Sequence, residues 1–214
     1  MNNNYVCIEG NIGAGKTTFT KRYAEITGAT TILEQFSDNP FLASFYKNPK
    51  QFAFPLEMSF LAERFQQLNN IFSRPDLFTS SYVSDYTFLK TLVFAKNNLQ
   101  DDEYALFKSF YFILNQKLPT PSFIIYLHTE LDYIKTNINS RGREYEQNID
   151  ETYLAGLHTT YKSMLLSKKD VPIIILPYSK EDWQQIDESI LQIQSDYIKQ
   201  RLKKGLQLFS TDSL

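Results

Sequence analysis

The stretch EGNIGAGKTT, residues 9–18, decides the fold, and it directly follows the short apolar run YVCI, residues 5–8. Its glycines and Lys-Thr pair have the spacing Gly-x-x-x-x-Gly-Lys-Thr between Gly10 and Thr17. This spacing is typical of a phosphate-binding P-loop when a strand precedes it and a helix follows it. The apolar run predicts the strand, and residues 15–27 predict the helix. The stretch therefore predicts a nucleotide-phosphate site at the first strand-to-helix turn.

The residues of this loop have distinct expected roles in holding phosphate. Backbone N–H groups of residues 12–17 point into one concavity at a helix N-terminus, which suits the α- and β-phosphates. Lys16 is expected to reach the β- and γ-phosphates, and the Thr17 hydroxyl is expected to ligate Mg²⁺. The predicted nucleotide-binding residues are Gly10, Asn11, Ile12, Gly13, Ala14, Gly15, Lys16, Thr17 and Thr18.

Four further apolar runs, rich in β-branched and aromatic residues, follow at 30–34, 81–85, 122–127 and 171–176. Segments with helical periodicity separate them, and near-continuous apolar strands are typical of a parallel sheet buried on both faces. Alternation of strands and helices predicts a doubly wound α/β fold. We therefore predict one domain over residues 1–205, a five-stranded parallel sheet with helices on both faces, and a flexible tail at 206–214.

Composition limits the class of protein. The chain has 214 residues, of which 43% are hydrophobic and 21% charged, as is typical of a soluble globular domain. A net charge of −2 offers no basic surface for a nucleic acid, so a small-molecule partner is favoured. The single cysteine, Cys7, cannot form an internal disulfide. Neither a signal peptide nor a run of about 18 apolar residues is found, so we expect a cytoplasmic protein without a membrane partner.

Acidic and basic side chains are expected around the P-loop. Glu34 ends the second predicted strand and Asp85 the third, and ligands of open parallel sheets bind outside the carboxyl ends of the strands. One carboxylate can bind Mg²⁺, while the other can accept a proton from an attacking hydroxyl. The segment RGREYEQ, residues 141–147, places Arg141 and Arg143 in a connection that can close over a triphosphate.

With these features the chain resembles the deoxyribonucleoside kinases, in particular their bacterial deoxyadenosine and deoxyguanosine kinase branch. The resemblance runs from about residue 4 to residue 166. Its motifs are IEGNIGAGKTT (8–18), LEQF (33–36), FYKNPKQFAFPLEMSFLAERF (45–65), RGREYEQ and a YLxxLHxxY pattern from Tyr153 to Tyr161. It implies a P-loop kinase fold with a short lid at about 137–149, ATP as phosphate donor with Mg²⁺, and a homodimer packed through helices 55–72 and 101–116.

The resemblance also implies roles for matching residues. Glu34 is similar to the family's general base, while Lys16, Arg141 and Arg143 act on the transferred phosphate. Tyr46 and Glu146 hold the deoxyribose 3′-hydroxyl, and Arg64 lies near the base and the 5′ end. The substrate-binding residues expected are Glu34, Tyr46, Glu57, Arg64, Asp85 and Glu146, with Phe94 added as a ring against the base. Thr17 and Asp85 are expected to bind Mg²⁺, directly or through water.

Glu57 stands where many members of this family have a glutamine that reads the edge of the base. An ionised carboxylate only accepts hydrogen bonds, so it suits exocyclic amino groups and the N1–H of guanine. The N1 atom of adenine is an acceptor, and it requires a protonated Glu57 or the help of a neighbour. Carboxylate chemistry therefore favours guanine, whereas the resemblance favours deoxyadenosine.

Two residues depart from the family pattern, because Tyr86 and Asn137 stand where arginine is frequent. Fewer fixed cations predict a weaker hold on phosphate, with Lys135 as a replacement. The main alternative function is a nucleoside monophosphate kinase such as a thymidylate kinase, which shares the fold but requires a further cation where Tyr86 stands. A nucleotide-regulated switch or binding module is the other alternative, although the sequence lacks the Asn-Lys-x-Asp motif of GTPases.

Overall fold

A parallel sheet forms the centre of the computed structural model, which describes residues 4–35, 39–74, 79, 81–143, 146, 149–179 and 182–209. Within these residues the sheet has six strands in the order β2-β3-β1-β4-β5-β6. Their bounds are Asn4–Gly10 (β1), Thr30–Ile32 (β2), Ser81–Ser84 (β3), Phe123–His128 (β4), Pro172–Pro177 (β5) and Gly205–Leu208 (β6). The predicted parallel α/β fold is confirmed.

The sixth strand corrects the expectation of five strands and of a tail that begins at residue 206. β6 pairs with β5 from Gly205 opposite Pro172 to Leu208 opposite Ile175. A run of four residues is too short to stand out as an apolar strand, and only its pairing with the edge of β5 defines it. Residues 210–214 of the predicted tail lie outside the described residues.

The helices connect the strands and cover both faces of the sheet. Their bounds are Lys16–Thr27 (α1), Leu42–Lys47 (α2), Pro49–Ser73 (α3), Lys90–Asn98 (α4), Asp101–Asn115 (α5), Leu131–Arg141 (α6), Glu151–Ser167 (α7) and Ile186–Ile198 (α8). The helix expected over residues 55–72 begins earlier than predicted, because α3 begins at Pro49 and contains Pro55. None of the helices in the described part of the chain is long and apolar enough to cross a membrane.

Alternate side chains of β1 enter two separate cores. Tyr5 and Cys7 belong to a large aromatic core with residues of α2, α3, α4, α5 and α7, whereas Val6 and Ile8 belong to a core with residues of α1 and α8. All four side chains are buried, as expected for a central strand covered on both faces.

This order of strands creates the position for a ligand. β1 lies between β3 and β4, so the chain leaves β1 towards one side of the sheet and later returns to the other. A cleft opens outside the carboxyl ends of the strands where the order reverses in this way. β2 ends at Ile32, two residues earlier than predicted, and Asp85 N donates a hydrogen bond of 3.2 Å to Ile32 O. Glu34 and Asp85 therefore lie just beyond their strands, at this cleft.

Candidate active site

The P-loop follows β1 and requires glycine at two positions in particular. Gly13 and Gly15 have φ angles of 78° and 83°, which favour glycine over other residues. A Cβ atom on Gly13 would lie 2.8 Å from Ile134 O, and one on Gly15 would lie 2.8 Å from the Tyr178 ring. The backbone of the loop thus passes close to α6 and to the residues after β5, where a larger side chain does not fit.

Lys16 and Thr17 open α1 beside this loop. Lys16 Nζ donates hydrogen bonds to Gly10 O at 3.0 Å and to Asn11 O at 2.8 Å. Burial, together with the nearby charge of Lys90, lowers the pKa of Lys16 to about 7. Thr17 Oγ1 donates a hydrogen bond of 2.6 Å to Asp85 Oδ2. The loop lysine and hydroxyl therefore lie at the end of the sheet, beside the carboxylate that follows β3.

The Thr17 and Asp85 pair fits the chemistry of Mg²⁺. This ion prefers oxygen ligands and takes only one or two from the protein in nucleotide sites, with phosphates and water supplying the rest. No group of three or more His, Cys, Asp or Glu side chains converges on a metal position within the described residues. Two adjoining oxygen donors beside a P-loop suit a metal that is bound chiefly by its nucleotide.

Glu34 is a nearly buried carboxylate between two cations. Its Oε1 accepts a hydrogen bond from Arg64 Nε at 2.8 Å and lies 2.7 Å from Arg64 NH2 in an ion pair. Its Oε2 accepts a hydrogen bond from Lys90 Nζ at 2.5 Å. Burial by itself would raise the pKa of Glu34, but the charges of Lys90 and Arg64 outweigh it and lower the pKa to about 2. Glu34 is therefore ionised at neutral pH.

Lys90 was not among the site residues predicted from the sequence. The hydroxyl group of the nearby Tyr86 donates a hydrogen bond to Gln67 Oε1. Lys90, four residues later in the chain, donates a hydrogen bond to Glu34. The sequence carries one signal of this: a lysine within the mainly apolar segment that follows Asp85, where α4 begins. Lys90 thus supplies a positive charge to the site, whereas residue 86, where an arginine was expected, is a tyrosine.

A cavity of about 280 Å³ joins the P-loop to these side chains. It brings together every predicted catalytic, substrate-binding and metal-binding residue; these are Lys16, Thr17, Glu34, Tyr46, Glu57, Arg64, Asp85, Phe94, Arg141, Arg143 and Glu146. Ile12, Gly13, Gly15 and Thr18 line it as well, whereas Gly10, Asn11 and Ala14 do not. The Asn11 side chain turns to the interior instead and donates a hydrogen bond of 2.9 Å to Leu154 O.

Glu57 lies in the wall of this cavity and is 1% exposed. Its Oε1 accepts a hydrogen bond of 2.7 Å from Asn98 Nδ2, and its buried Oε2 has no hydrogen-bond partner among the described residues. Burial raises the pKa of Glu57 to about 7, against the opposing effects of Arg64 and the Asn98 hydrogen bond. The carboxyl is therefore poised between two protonation states, and Asn98 is a second residue that sequence reasoning missed.

The predicted lid begins within α6 and continues beyond it. Arg141 ends α6, and Arg143 NH1 donates a hydrogen bond of 2.9 Å to Glu146 Oε1. Arg141 NH1 lies 3.8 Å from Glu146 Oε2. Residues 144, 145, 147 and 148 of the predicted lid lie outside the described residues. Both arginines thus lie beside Glu146 at the cavity.

Asn137 and Lys135 behave differently from expectation. Asn137 Nδ2 donates a hydrogen bond of 2.8 Å to Gly13 O, which ties α6 to the P-loop. Lys135, the expected replacement for a missing arginine, instead pairs with the carboxylate of Glu151 and lies outside the cavity lining. The neutral amide of Asn137 therefore contacts the backbone of the phosphate loop, and Lys135 adds no charge there.

Glu9 explains how the segment between β3 and α4 is held. Its Oε1 accepts hydrogen bonds of 2.7 Å from both Thr87 N and Thr87 Oγ1, and its Oε2 accepts one of 3.1 Å from Tyr161 OH. Because Thr87 stands between Asp85 and Lys90, this buried carboxylate fixes the path of the chain that carries both site residues.

A P-loop at the switch point of a parallel sheet, with strand-end carboxylates and two arginines at one cavity, defines a P-loop phosphotransferase. Residues 6–203 match the family described as deoxynucleoside kinase. The chain therefore belongs to the deoxynucleoside kinase family, and the resemblance stated from the sequence is confirmed.

Individual relatives agree with this assignment. The chain is 34% identical over 174 residues to a deoxyguanosine kinase of Bacillus subtilis (strain 168), covering 80% of this chain and 84% of the relative. It is 29% identical over 192 residues to a deoxyadenosine/deoxycytidine kinase of the same organism, covering 88% of each. A structure of the deoxyadenosine kinase from M. mycoides with bound dCTP aligns with a TM-score of 0.76 at 25% identity, over 89% of this chain and 99% of that one.

Proposed function

We propose that this enzyme transfers the γ-phosphoryl group of ATP to the 5′-hydroxyl of a deoxyribonucleoside and so supplies a 5′-monophosphate for nucleotide salvage. The proposed acceptor is a purine, with deoxyadenosine favoured and deoxyguanosine next. One observation carries the proposal: the ionised Glu34 shares a cavity with the P-loop residues Lys16 and Thr17. A carboxylate near a γ-phosphate site suits a hydroxyl acceptor, whose proton must be removed as it attacks.

The residues divide the chemistry among them. Glu34 accepts the proton of the 5′-hydroxyl while the 5′-oxygen attacks the γ-phosphorus in line with the leaving oxygen of ADP. Lys16, Arg141 and Arg143 stabilise the charge on the transferred group. Bound Mg²⁺, held by Thr17 and Asp85, would neutralise charge on the β- and γ-phosphates. The relative that was solved with bound dCTP supports a nucleoside triphosphate as a ligand of this kind of site.

The sugar end of the acceptor is assigned to Tyr46 and Glu146. Both line the cavity, and Glu146 is buried beside the lid arginines. A buried carboxylate can accept a hydrogen bond from the 3′-hydroxyl, and it couples sugar binding to the arginines that meet phosphate. Phe94, whose ring lies edge-on to Tyr161 at 6.4 Å, is proposed to pack against the base.

Recognition of the nucleoside base is assigned to Glu57 and Asn98. A protonated Glu57 can donate to N1 of adenine and accept from its exocyclic amino group, whereas the ionised form can accept from N1–H and the amino group of guanine. With a pKa of about 7, the carboxyl populates both forms near neutral pH. Relatives that are named for deoxyguanosine and for deoxyadenosine and deoxycytidine support an enzyme that accepts more than one base.

A phosphoryl-transfer assay with ATP and each of the four natural deoxynucleosides tests the proposal. We expect product with the two purines, and we expect Glu34→Gln to lower kcat by about 10²–10⁴-fold with little change in nucleoside affinity, as for loss of a general base. Near-normal turnover in Glu34→Gln would remove Glu34 from this role. Activity with deoxyadenosine monophosphate but none with deoxyadenosine would indicate a monophosphate kinase. Slow ATP hydrolysis that no nucleoside stimulates would indicate a switch.

A homodimer and a cytoplasmic location complete the proposal. The outer face of α5 exposes large apolar side chains, with Leu106, Phe110, Phe112 and Ile113 between 43% and 59% exposed. A second copy of the chain would cover this face. Ile113→Glu is expected to yield monomers in light scattering after size exclusion, and a monomeric wild type would contradict the dimer. The buried free thiol of Cys7 is compatible with the reducing cytoplasm.

A further inference from the structure

Lys90 is a buried cation that has no role in the proposed phosphoryl transfer as described so far. Its side chain is 7% exposed, and its Nζ contacts Glu34 Oε2 at 2.5 Å. The same Nζ lies 5.5 Å from the centre of the Phe94 ring. Lys90 also stands in the first turn of α4, where a positive charge opposes the helix dipole. Lysine is rarely buried unless it is paired, so its position depends on negative charge in the cavity.

The hydrogen bonds of Glu34 show which oxygen can receive a proton. Oε1 accepts a hydrogen bond from Arg64 Nε and lies 2.7 Å from Arg64 NH2, so the guanidinium lies against this oxygen. Oε2 accepts from Lys90 alone among the described residues. Oε2, the oxygen that Lys90 contacts, is therefore the better placed of the two to receive the 5′-hydroxyl proton.

Proton transfer to Oε2 removes the negative charge that compensates Lys90. In the reaction the 5′-oxygen forms a bond to the γ-phosphorus, the bond from phosphorus to the bridging oxygen breaks, and its electron pair leaves with ADP. The hydroxyl proton ends on Glu34, which becomes neutral, while the transferred phosphoryl group keeps its negative charge. The negative charge nearest to Lys90 thus passes from the carboxylate to the phosphoryl group.

We propose that Lys90 is a catalytic residue that moves from Glu34 to the transferred phosphoryl group as the 5′-hydroxyl loses its proton. This inference rests on the proposed kinase function. Lys90 suits the exchange because its ammonium is a point charge on a flexible stem, whereas the Arg64 guanidinium is held in a fork on Oε1 and stacks 4.7 Å from the Phe60 ring. Lys16 lines the same cavity, so the two lysines would approach the phosphoryl group from different elements.

The test compares Lys90→Met and Lys90→Arg with Lys96→Met. Lys96 lies on the same helix but is half exposed and 4.0 Å from Asp101, outside the cavity. Lys90→Met should lower kcat by about 10²–10³-fold, the effect of removing one donor to transition-state charge, while the nucleoside KM stays within about threefold. Lys90→Arg keeps the positive charge on a less adaptable head group, so it should recover only part of the lost kcat. Lys96→Met should match the wild type.

Binding of ADP with aluminium fluoride and the nucleoside distinguishes direct contact from a positioning role. This complex mimics the transferred group, so its affinity should fall in Lys90→Met by about the same factor as kcat/KM. Affinities for ADP alone and for the nucleoside alone should stay unchanged. An unchanged affinity for the fluoride complex would overturn the proposal, because a lysine that acts only through Glu34 has no contact with that group.

A second variant keeps the test valid if Lys90→Met does not fold. Glu34→Gln/Lys90→Met removes both charges of the Glu34 and Lys90 ion pair, and it should still bind the fluoride complex more weakly than Glu34→Gln by itself. Equal binding by these two variants would also overturn the proposal. Failure of the wild type to phosphorylate any deoxynucleoside would instead contradict the proposed function, and the fluoride complex reports on Lys90 without requiring turnover.

Discussion

The protonation of Glu57 leads to a quantitative prediction about which purine the enzyme prefers. Adenine requires the protonated carboxyl, and guanine the ionised carboxylate. The pKa of Glu57 is raised to about 7 by burial. The groups that act on the pKa of this carboxyl are Arg64 on its own helix, Glu34 beyond β2, and Lys90 and Asn98 on α4. The carboxyl also interacts with Tyr153 on α7, and Tyr46 on α2 lines the same cavity.

The expected size of the effect follows from this pKa. With a pKa of about 7, roughly ten protonated molecules accompany each ionised one at pH 6, and the proportion is reversed at pH 8. The ratio of kcat/KM for deoxyadenosine to that for deoxyguanosine should therefore fall about tenfold per pH unit, or about 100-fold between pH 6 and pH 8. The direction of the change follows from the protonation state of Glu57: low pH favours deoxyadenosine, and high pH favours deoxyguanosine.

A competition assay measures this ratio directly. Both nucleosides react in one mixture with ATP, and the two monophosphates are quantified at low conversion at each pH. Effects of pH on Lys16, on Glu34 or on ATP itself cancel, since both substrates experience them equally. Glu57→Gln is the matched control: its amide does not titrate, so its ratio should stay level across the same range.

A further variant changes the midpoint of the transition. The hydrogen bond from Asn98 lowers the pKa of Glu57, so Asn98→Ala should raise the pKa and shift the transition to higher pH. Two results would refute the reasoning. A level ratio in the wild type would show that the protonation of Glu57 does not select the base. An equal slope in the wild type and in Glu57→Gln would assign the selection to another group.

Three further predictions concern the loop and the chain around it. Gly13→Ala, whose Cβ would lie 2.8 Å from Ile134 O at a φ of 78°, should destabilise the fold by about 1–3 kcal/mol and weaken ATP binding, measured by thermal unfolding and ATP titration. Asn137→Ala loses the hydrogen bond to Gly13 O, worth about 1 kcal/mol, and should raise the KM for ATP about fivefold; an unchanged KM would contradict this role. Glu9→Gln weakens the hydrogen bonds to Thr87, so it should lower the free energy of unfolding in denaturant by about 1–3 kcal/mol. It should also lower kcat, whereas a purely structural role for Glu9 would leave kcat unchanged.

Local patterns in the sequence predicted much of the fold and of the cavity lining. The spacing from Gly10 to Thr17 indicates a P-loop because close backbone approach to phosphate demands glycine at specific offsets. Glu34 and Asp85 follow apolar runs, and the carboxyl ends of neighbouring parallel strands meet at one edge of the sheet. Such features depend on a few residues in a row, so periodicity and spacing are sufficient to predict them. The catalytic and binding roles of these residues remain predictions for the assays above.

Other features depend on residues that are far apart in the sequence. β6 is a strand because it pairs with the edge of β5, and the sequence has no apolar run there that would predict a strand. Lys90 and Glu34 are 56 positions apart, and Asn98 and Glu57 are 41 positions apart, yet each pair forms a hydrogen bond. Composition and periodicity indicate local structural preferences, and they carry no information about which distant segments contact each other.

The amino-acid sequence by itself determined the class of this protein: a phosphate loop on a parallel α/β sheet, with carboxylates at the strand ends and arginines after the fourth strand. Only the tertiary structure decided the electrostatics of its cavity. Two cations hold Glu34 ionised, with a pKa of about 2, whereas burial brings the pKa of Glu57 to about 7, although both are glutamates of one cavity. The physical reason is that a pKa depends on desolvation and on the distance to other charges, and both are set when α3 and α4 pack together beside the sheet.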